Sequence, residues 1–290
     1  MGRNKNSCCF VGCLSLAFIV ATALTTHAQA DPKPKPSPPP LLEREFVKNI
    51  LSDQKEIWTA PVRLERGEAK WIVPSSIGFM ALATTDRITG DRMARFHRQL
   101  KASRIVSYAG SVYGAGAISG TFYLFGRMKN NDRARETGLL SAEALINGLI
   151  VESALKEVTQ RARPLAGSER SEFFDGGNSF PSGHSTQAWA VATIIAREYQ
   201  GNRAIQIAAY GTAAAVSVAR FTGQKHYISD ALAGSALGYA IGKYVYNARH
   251  RKSLDTTSDS GPETQSRWPA ITPQFSRGEH AYGISLRWSF

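Results

Sequence analysis

The spacing of apolar residues separates a long central region from two unlike ends. Between residues 45 and 249, apolar side chains recur at helical spacing and are interrupted by Gly or polar residues. Six main helices are predicted here, over residues 71–86, 103–128, 134–161, 183–199, 203–219 and 227–248. Strand-like alternation is scarce in this region, so the expected fold class is all-α.

The N-terminal residues predict export. Arg3 and Lys5 precede an apolar run from Cys8 to Leu24, and Ala28-Gln29-Ala30 offers a small-x-small cleavage site. This is the order of a secretory signal peptide over residues 1–30, with an uncleaved membrane anchor as the alternative. All three cysteines lie within it, so the exported chain would hold no disulfide and no cysteine-bound metal. The proline-rich residues 31–44 predict an extended linker.

The C-terminal residues change pattern twice. The helical domain is assigned to residues 45–250, and the polar residues 251–268 that follow it predict a second linker. Within residues 269–290, Ile271 to Phe275 and Tyr282 to Phe290 predict two strands joined by a turn. One hairpin cannot close a barrel, so a short β-hairpin that packs as an appendage is expected.

The charge of the chain favours anionic partners. Its formal net charge is +12, which suits nucleic acid, an anionic membrane surface or a phosphorylated substrate. No zinc-finger spacing and no aromatic RNA-binding motif occurs in the sequence, so nucleic acid is not expected. Two basic clusters are either solvated faces or contacts with anionic lipid: Arg87, Arg92, Arg95, Arg98, Lys101 and Arg104, and then Arg249 to Lys252.

Hydropathy leaves two relations to a membrane open. Residues 105–126 are uncharged and long enough to span a bilayer. In the next predicted helix, however, Glu143, Glu152 and Lys156 would be costly in lipid unless they faced inward. The mean hydropathy of −0.23 is low for a protein with six spans. An exported, periplasmic domain that is soluble or peripherally membrane-associated is therefore expected, with an integral membrane protein as the alternative.

Two cations near a predicted helix end form the first candidate cluster. Lys156 and Arg163 are seven residues apart, so they share one face if the helix continues to Arg163, after which Pro164 stops it. Such a pair could hold a phosphate or belong to a solvated face.

The segment from Asn178 to His184 forms the second cluster, because it opens an Ala-rich helix. Ser182 is a good N-cap, and Gly183 permits close approach of the backbone to a ligand. Free amides at a helix start attract anions, and His184 would stand at the rim of that site. An ordinary helix start with an incidental histidine is the alternative.

The third cluster consists of Arg220, His226 and Asp230. His226 and Asp230 are four residues apart on a helix predicted to begin near Tyr227, so the carboxylate can reach the imidazole. A carboxylate on one ring nitrogen leaves the other nitrogen free to attack. Arg220 offers a planar fork that suits phosphate oxygens. A structural His–Asp pair is the alternative.

Together the three clusters resemble the type 2 phosphatidic acid phosphatase and vanadium haloperoxidase superfamily, or PAP2. The family pattern is Lys-x6-Arg-Pro, then Pro-Ser-Gly-His, then Ser-Arg-x5-His-x3-Asp. The chain carries KEVTQRARP from Lys156, PSGH from Pro181 and ARFTGQKHYISD from Ala219, in that order. Ala219 stands where the family has Ser, and the lost hydroxyl is expected to tune affinity without abolishing activity.

The resemblance implies a PAP2-type helical bundle and a role for each matching residue. His226 would attack phosphorus and form a phosphohistidine, Asp230 would orient it, and His184 would protonate the leaving alkoxide and then activate water. The phosphate oxygens would be held by the remaining motif residues: Lys156, Arg163, Ser182, Gly183 and Arg220. No metal or other cofactor is expected, although vanadate could occupy the phosphate site.

The expected activity is therefore metal-independent hydrolysis of a phosphate monoester. A lipid phosphate such as phosphatidate, phosphatidylglycerol phosphate or an isoprenyl diphosphate is favoured, and a broad-specificity soluble acid phosphatase is the alternative. A vanadate-dependent haloperoxidase, a phosphotransferase that uses the same phosphohistidine and a non-catalytic binding module are the other readings of these motifs.

Overall fold

The structure, a computed structural model, describes only part of the chain. The described residues are 41–60, 78–79, 81–90, 92, 103, 106–108, 110–164, 173–258, 270–276 and 281–287. The predicted signal peptide and most of the proline-rich linker lie outside them, as do residues 259–268 of the polar linker. The chain forms two compact units, which meet in sequence between Asn247 and Ala248.

The described part of the first unit is helical. Its helices are α1 (Leu41–Thr59), α2 (Val112–Met128), α3 (Asp132–Thr159), α4 (Gly183–Glu198), α5 (Arg203–Thr222) and α6 (Ile228–Ser258), the last of which continues into the second unit. Residues 81–90 are also helical. The prediction of an all-α domain is therefore confirmed for the residues that the structure describes.

Helix α1 begins at Leu41, inside the segment predicted as a linker, and it is absent from the six predicted helices. Its buried side chains include the polar residues Asn49 and Asp53. The Asn147 amide of α3 donates to Asp53 over 2.9 Å, and Gln54 donates to Asn147 over 2.8 Å. The two most buried positions of this helix are polar, and its partly buried apolar side chains, such as Ile57, are few. Its apolar periodicity is therefore weak, which is why the pattern did not reveal this helix.

Side-chain caps define where three of the helices begin. Ser111, Asn131 and Asn202 each accept a hydrogen bond from the backbone amide three residues later, at the starts of α2, α3 and α5. The predicted start at residue 103 was therefore too early for α2, although residues 103 and 106–108 are helical as well. Helix α3 ends at Thr159, because Gln160 adopts a left-handed conformation with φ of 41°.

A row of glycines lets α6 lie directly against α4. Gly234, Gly238 and Gly242 follow one another at helical four-residue spacing on α6. A Cβ atom on each would lie 2.4, 2.2 and 2.7 Å, respectively, from the carbonyl oxygens of Ser182, Thr186 and Ala190 on α4. Small residues at this spacing permit such close helix contact. Because both sets of residues ascend in sequence together, the two helices run parallel and begin at the same end of the domain.

The second unit contains two strands, β1 (Ala270–Ser276) and β2 (Ala281–Arg287), which pair antiparallel. Ala270 lies opposite Arg287, and Ser276 lies opposite Ala281. The strands were expected at Ile271 to Phe275 and Tyr282 to Phe290, and Phe290 lies outside the described residues. The purpose of this hairpin stays a prediction.

Candidate functional site

The shared starting end of α4 and α6 carries the histidines of the candidate site. His184 is the second residue of α4, and His226 lies two residues before α6. The Ser182 amide donates to the carbonyl oxygen of Asp230 over 3.0 Å and so ties the two helix starts together. Side chains from the end of α3, the loop after it and the end of α5 complete the site: Lys156, Arg163 and Arg220.

His226 is held in one tautomer by the backbone. Its side chain is buried, and its Nδ1 lies 2.7 Å from the carbonyl oxygen of Ser179. Because a carbonyl can only accept, Nδ1 must carry the proton, which leaves the lone pair on Nε2. Burial lowers the pKa of His226 well below its ordinary value, and the positive charges of Arg220 and Arg163 lower it further. The ring is therefore neutral at physiological pH and has an unprotonated nitrogen.

The predicted hydrogen bond between Asp230 and His226 is not formed. The Asp230 Oδ2 lies 3.9 Å from the His226 Nδ1, and the Ser179 carbonyl takes that nitrogen instead. Since α6 begins at Ile228, His226 precedes the helix and the four-residue helical spacing does not apply to the pair.

Asp230 accepts from three other donors. They are the Ser179 hydroxyl at 2.5 Å, the Tyr227 amide at 3.0 Å and the Arg161 guanidinium at 2.6 Å. Burial raises the pKa of Asp230, and Arg161 and Ser179 oppose that rise. Its carboxylate still faces the ring from a distance at which it can stabilise positive charge on the imidazole.

Lys156 and Arg163 were expected to share one helix face if the helix continued to Arg163, and that condition is not met, because α3 ends at Thr159. The structure nevertheless directs both cations, together with Arg220, toward the same place. Burial lowers the pKa of His184 to about 4, and the charges of Arg220, Lys156 and Arg163 add to that effect. Three cations from three parts of the chain thus act on one histidine.

The three cations differ in how they are paired. Lys156 lies 3.1 Å from the Glu152 carboxylate, and the Arg163 Nε donates to Asn178 over 2.8 Å. Arg220 is only 9% exposed, and its Nε has no hydrogen-bond partner among the described residues. A buried guanidinium nitrogen without a partner is unfavourable, so this position is suited to an anion that supplies one.

The start of α4 differs in detail from the expectation. Ser182 occupies the N-cap position, but its side chain does not cap the helix and instead accepts from the Ser185 hydroxyl over 3.1 Å. Gly183 was expected to leave room for a ligand. A Cβ atom there would lie 2.4 Å from both carboxylate oxygens of Glu152, so that side chain already fills the space.

Four residues of the site were given no role from the sequence: Asp86, Glu152, Arg161 and Ser179, the last of which lies within the second cluster. Three of them lie close in sequence to a motif residue, and this closeness is the only feature of the sequence that could have pointed to them. Glu152 precedes Lys156 by one helical turn, Arg161 precedes Arg163 by two residues, and Ser179 directly precedes Phe180 and Pro181. Asp86 stands far away in sequence, and no pattern there pointed to it.

Part of the chain is similar to known proteins. A model described as the PAP2 superfamily matches residues 137–254. The lipid A 1-phosphatase of Porphyromonas gingivalis is 38% identical over 71 residues, which make up 24% of this chain and 16% of that protein. The chain therefore matches less than a fifth of that relative's length, given the 16% covered.

Two crystal structures match part of the chain. One is a transmembrane PAP2-type phosphatidylglycerolphosphate phosphatase from Bacillus subtilis, with a TM-score of 0.48, 20% identity, and coverage of 62% of this chain and 96% of that one. The other is LpxE from Aquifex aeolicus, with a TM-score of 0.40, 17% identity, and coverage of 57% and 93%.

The family match and the geometry concern the same residues. The matched segment runs from the first turns of α3 to near the end of α6, and it contains all the motif residues from Lys156 to Asp230. Over residues 137–254, the chain is similar to the PAP2 superfamily.

Proposed function

We propose that the chain hydrolyses a phosphate monoester and that His226 is its nucleophile. The observation that carries this proposal is a buried, neutral imidazole on which the charges of Arg220, Arg163 and Lys156 act. Nδ1 of His226 is committed to the Ser179 carbonyl, so Nε2 is free to attack. The guanidinium of Arg220 is buried beside it with an unpartnered Nε, ready to bind an equatorial phosphate oxygen.

In the first step, the lone pair of the His226 Nε2 forms a bond to phosphorus as the bond from phosphorus to the leaving oxygen breaks. His184 gives its proton to that oxygen, which leaves as an alcohol. Charge on the three equatorial oxygens is stabilised by Lys156, Arg163 and Arg220. The ring of His226 becomes positively charged, and the carboxylate of Asp230 at 3.9 Å stabilises it.

In the second step, water attacks the phosphohistidine. His184, now neutral, takes a proton from the water as its oxygen bonds to phosphorus. The bond between phosphorus and Nε2 breaks and returns its electron pair to the ring, so that His226 is restored and inorganic phosphate is released. The fixed cations carry out the charge stabilisation that a metal ion performs in other phosphatases, and we propose that this chain uses none.

A phosphorylated lipid is the proposed substrate class. The outer faces of two helices support this choice, since the exposed residues of α2 from Val112 to Leu124 and of α5 from Ile207 to Val218 include no charged side chain. Helices α3 and α5 are also long and apolar enough to cross a membrane. The relative from Porphyromonas gingivalis is a lipid A 1-phosphatase, and we extend the substrate class, a lipid phosphate, from that protein to this one.

We propose that the domain is embedded in a membrane, in place of the soluble or peripheral protein expected from mean hydropathy. Uncharged outer faces on α2 and α5 would be unusual against water and are ordinary against lipid. The full chain should stay with the membrane after an alkaline carbonate wash and leave it only in detergent. Release by carbonate alone would show that the association is peripheral.

The central experiment measures phosphate release by the detergent-purified chain in excess EDTA. Phosphatidate in mixed micelles is compared with a soluble aryl phosphate, and orthovanadate serves as a probe of the phosphate site. Turnover that EDTA leaves unchanged, that vanadate inhibits and that is greater with the lipid would support the proposal. Turnover that requires a divalent ion would refute metal-independent catalysis, and no turnover with either substrate would refute hydrolysis.

The pH dependence should respond to the cations around His184. Its pKa of about 4 is lowered by burial and by Arg220, Lys156 and Arg163, and kcat/KM should fall as pH rises through this value because the acid form is lost. Arg163→Gln removes one positive charge, so the pKa of His184 rises and the fall moves to higher pH. The measurement is kcat/KM against pH across the acidic range.

The matched control for this experiment is Lys225→Gln, which removes an exposed cation that is not among the charges lowering the pKa of His184. Its profile should coincide with that of the unmodified chain. A profile for Arg163→Gln that is unshifted, or that is shifted to lower pH, would contradict the role given to His184.

A further inference from the structure

Arg161 is the bulkiest fully buried side chain in the described part of the chain. Its guanidinium carbon lies 4.7 Å from the ring centre of Phe173 and 4.6 Å from that of Tyr227. Two aromatic faces on a desolvated guanidinium hold its plane in a fixed orientation. A charge buried this deeply must also be paired and hydrogen-bonded.

The pairing of Arg161 joins two distant parts of the chain. Its Nη1 donates to Asp230 at 2.6 Å and to the Ser229 hydroxyl at 2.7 Å, both at the start of α6. Its Nη2 donates to Asp86 at 2.8 Å, and Asp86 in turn accepts from the Ser229 hydroxyl. Asp86 belongs to the helical residues 81–90, which precede the segment matched by the family model. The side chains of Asp86 and Asp230 are fully buried.

The residue that holds the nucleophile is fixed to this cluster at two points. The Ser179 amide donates to the backbone carbonyl of Arg161 over 2.8 Å. The Ser179 hydroxyl donates to Asp230, the carboxylate that Arg161 also binds, over 2.5 Å. The carbonyl of Ser179 then accepts from the His226 Nδ1 over 2.7 Å. A chain of hydrogen bonds therefore connects the His226 Nδ1 to the Arg161 guanidinium through only two residues, Ser179 and Asp230.

We propose that Arg161 is a positioning residue for His226, which acts through Asp230 and Ser179 and uses Asp86 as its second anchor. The rigid fork of a guanidinium can hold Asp230 and Asp86 in one plane, whereas an ammonium group at the same position cannot. A looser Asp230 would release the Ser179 hydroxyl, and the Ser179 carbonyl would no longer fix the tautomer and direction of the imidazole. The expected fall in kcat rests on the proposed function. The expected change in the tautomer of His226 does not, because it requires no turnover.

The test compares Arg161→Lys and Ser179→Ala with the unmodified chain. Arg161→Lys keeps the charge and loses the fork, so kcat should fall by ~100-fold, as for a catalytic group misplaced by about 1 Å. Ser179→Ala keeps the backbone carbonyl and loses one hydrogen bond to a carboxylate, so kcat should fall by roughly 10-fold. In both variants KM should change less than about threefold, because neither residue is proposed to contact the phosphate.

The matched control is Arg197→Lys. Arg197 also lies over an aromatic ring, that of Tyr246 at 5.5 Å, and donates to an oxygen, that of Asn247 at 3.3 Å, but it has no part in the site. Its kcat and KM should equal those of the unmodified chain. This control accounts for the general effect of exchanging a stacked arginine for lysine.

Nitrogen NMR of histidine-labelled protein in detergent supplies a readout that needs no turnover. The His226 signals are assigned by their loss in His226→Gln. The unmodified chain should show a protonated Nδ1 and a free Nε2, and Arg161→Lys should show a mixture of the two tautomers. If Arg161→Lys does not fold, Ser179→Ala carries the test, with a smaller shift of the same signals.

The outcomes separate this inference from the proposed function. A fall in kcat at constant KM together with altered His226 signals supports the positioning role. Unchanged kcat, or a fall in kcat with unaltered His226 signals, overturns it. If the unmodified chain releases no phosphate, the proposed function fails, and the positioning of the ring by Arg161 is then decided by the nitrogen signals alone.

Discussion

Replacing His226 with alanine should lower the rate of phosphate release by about 10⁴-fold or more, as the loss of a covalent nucleophile does in other enzymes. The side chain supplies the only bond that phosphorus forms with the protein in the proposed reaction. Its replacement leaves Lys156, Arg163 and Arg220 in place, so the substrate should still bind. The measurement is the single-turnover rate with a radiolabelled phosphate monoester, together with the affinity for orthovanadate.

A companion variant tests the intermediate itself. His184→Ala retains the nucleophile but lacks both the acid of the first step and the base of the second. With a labelled aryl phosphate, whose leaving phenolate needs no proton, the first step can still proceed, so label should accumulate on the protein in a form that acid releases and alkali does not. Folding of both variants is checked by their melting temperatures. A His226→Ala protein that is folded and still active at more than a few per cent would exclude His226 as the nucleophile.

The second large effect is expected at Gly238. A Cβ atom there would lie 2.2 Å from the Thr186 carbonyl oxygen and 3.0 Å from the Ala190 amide nitrogen, both of them backbone atoms that cannot rotate away. Gly238→Ala must therefore push α6 away from α4. Overpacking of this kind costs about 1–3 kcal/mol, which lowers the melting temperature by roughly 2–4 °C per kcal/mol in a domain of this size.

Gly238→Ala should also reduce kcat, because His184 lies at the start of α4 and His226 lies just before α6. A displacement of about 1 Å between them should lower kcat by ~100-fold. The measurements are the melting temperature in detergent and kcat on the best substrate.

The control for Gly238→Ala is Gly211→Ala on α5. No atom lies within 4 Å of the Cβ position of Gly211, so alanine should be accommodated there. Its helix propensity should make the protein as stable as before or more stable by about 0.5–1 kcal/mol. Equal behaviour of the two variants would show that the glycine row does not set the distance between α4 and α6.

The sequence predicted those parts of the site that depend on residue type and on spacing along the chain. The positions of His184, His226 and Arg220 at helix ends followed from motif spacing and from the breaks in apolar periodicity. The partner of the His226 Nδ1 did not follow, because it is a backbone carbonyl, and every residue has one. Ser179 could be identified only when the loop before α4 was seen to run beside the segment around Arg161.

Helix boundaries were harder to predict where no residue type marks them. Nothing in the composition around Gln160 indicates that α3 ends there, since Ala162 and Arg163 are good helix formers and Pro164 is a natural stop. Because α3 ends at Thr159, Arg161 lies in the loop that follows, where its side chain is buried against Asp86 and Asp230, and Arg163 lies in the same loop. The condition under which Lys156 and Arg163 would share one face is not met for this reason, although both cations still act on His184.

The position of Asp86 bears on how this protein could be recombined with its relatives. Residues 137–254 carry all the recognised motif residues, yet the acceptor for the Arg161 Nη2 lies upstream of them. If that segment came from a relative without an arginine at the position of Arg161, Asp86 would be left as a buried carboxylate without its cation. In the reverse exchange, into a relative without an acidic residue at the position of Asp86, Arg161 would lose its second anchor. The transferable unit therefore has to include Asp86, and in an alignment of related sequences Asp86 and Arg161 should be kept or lost together.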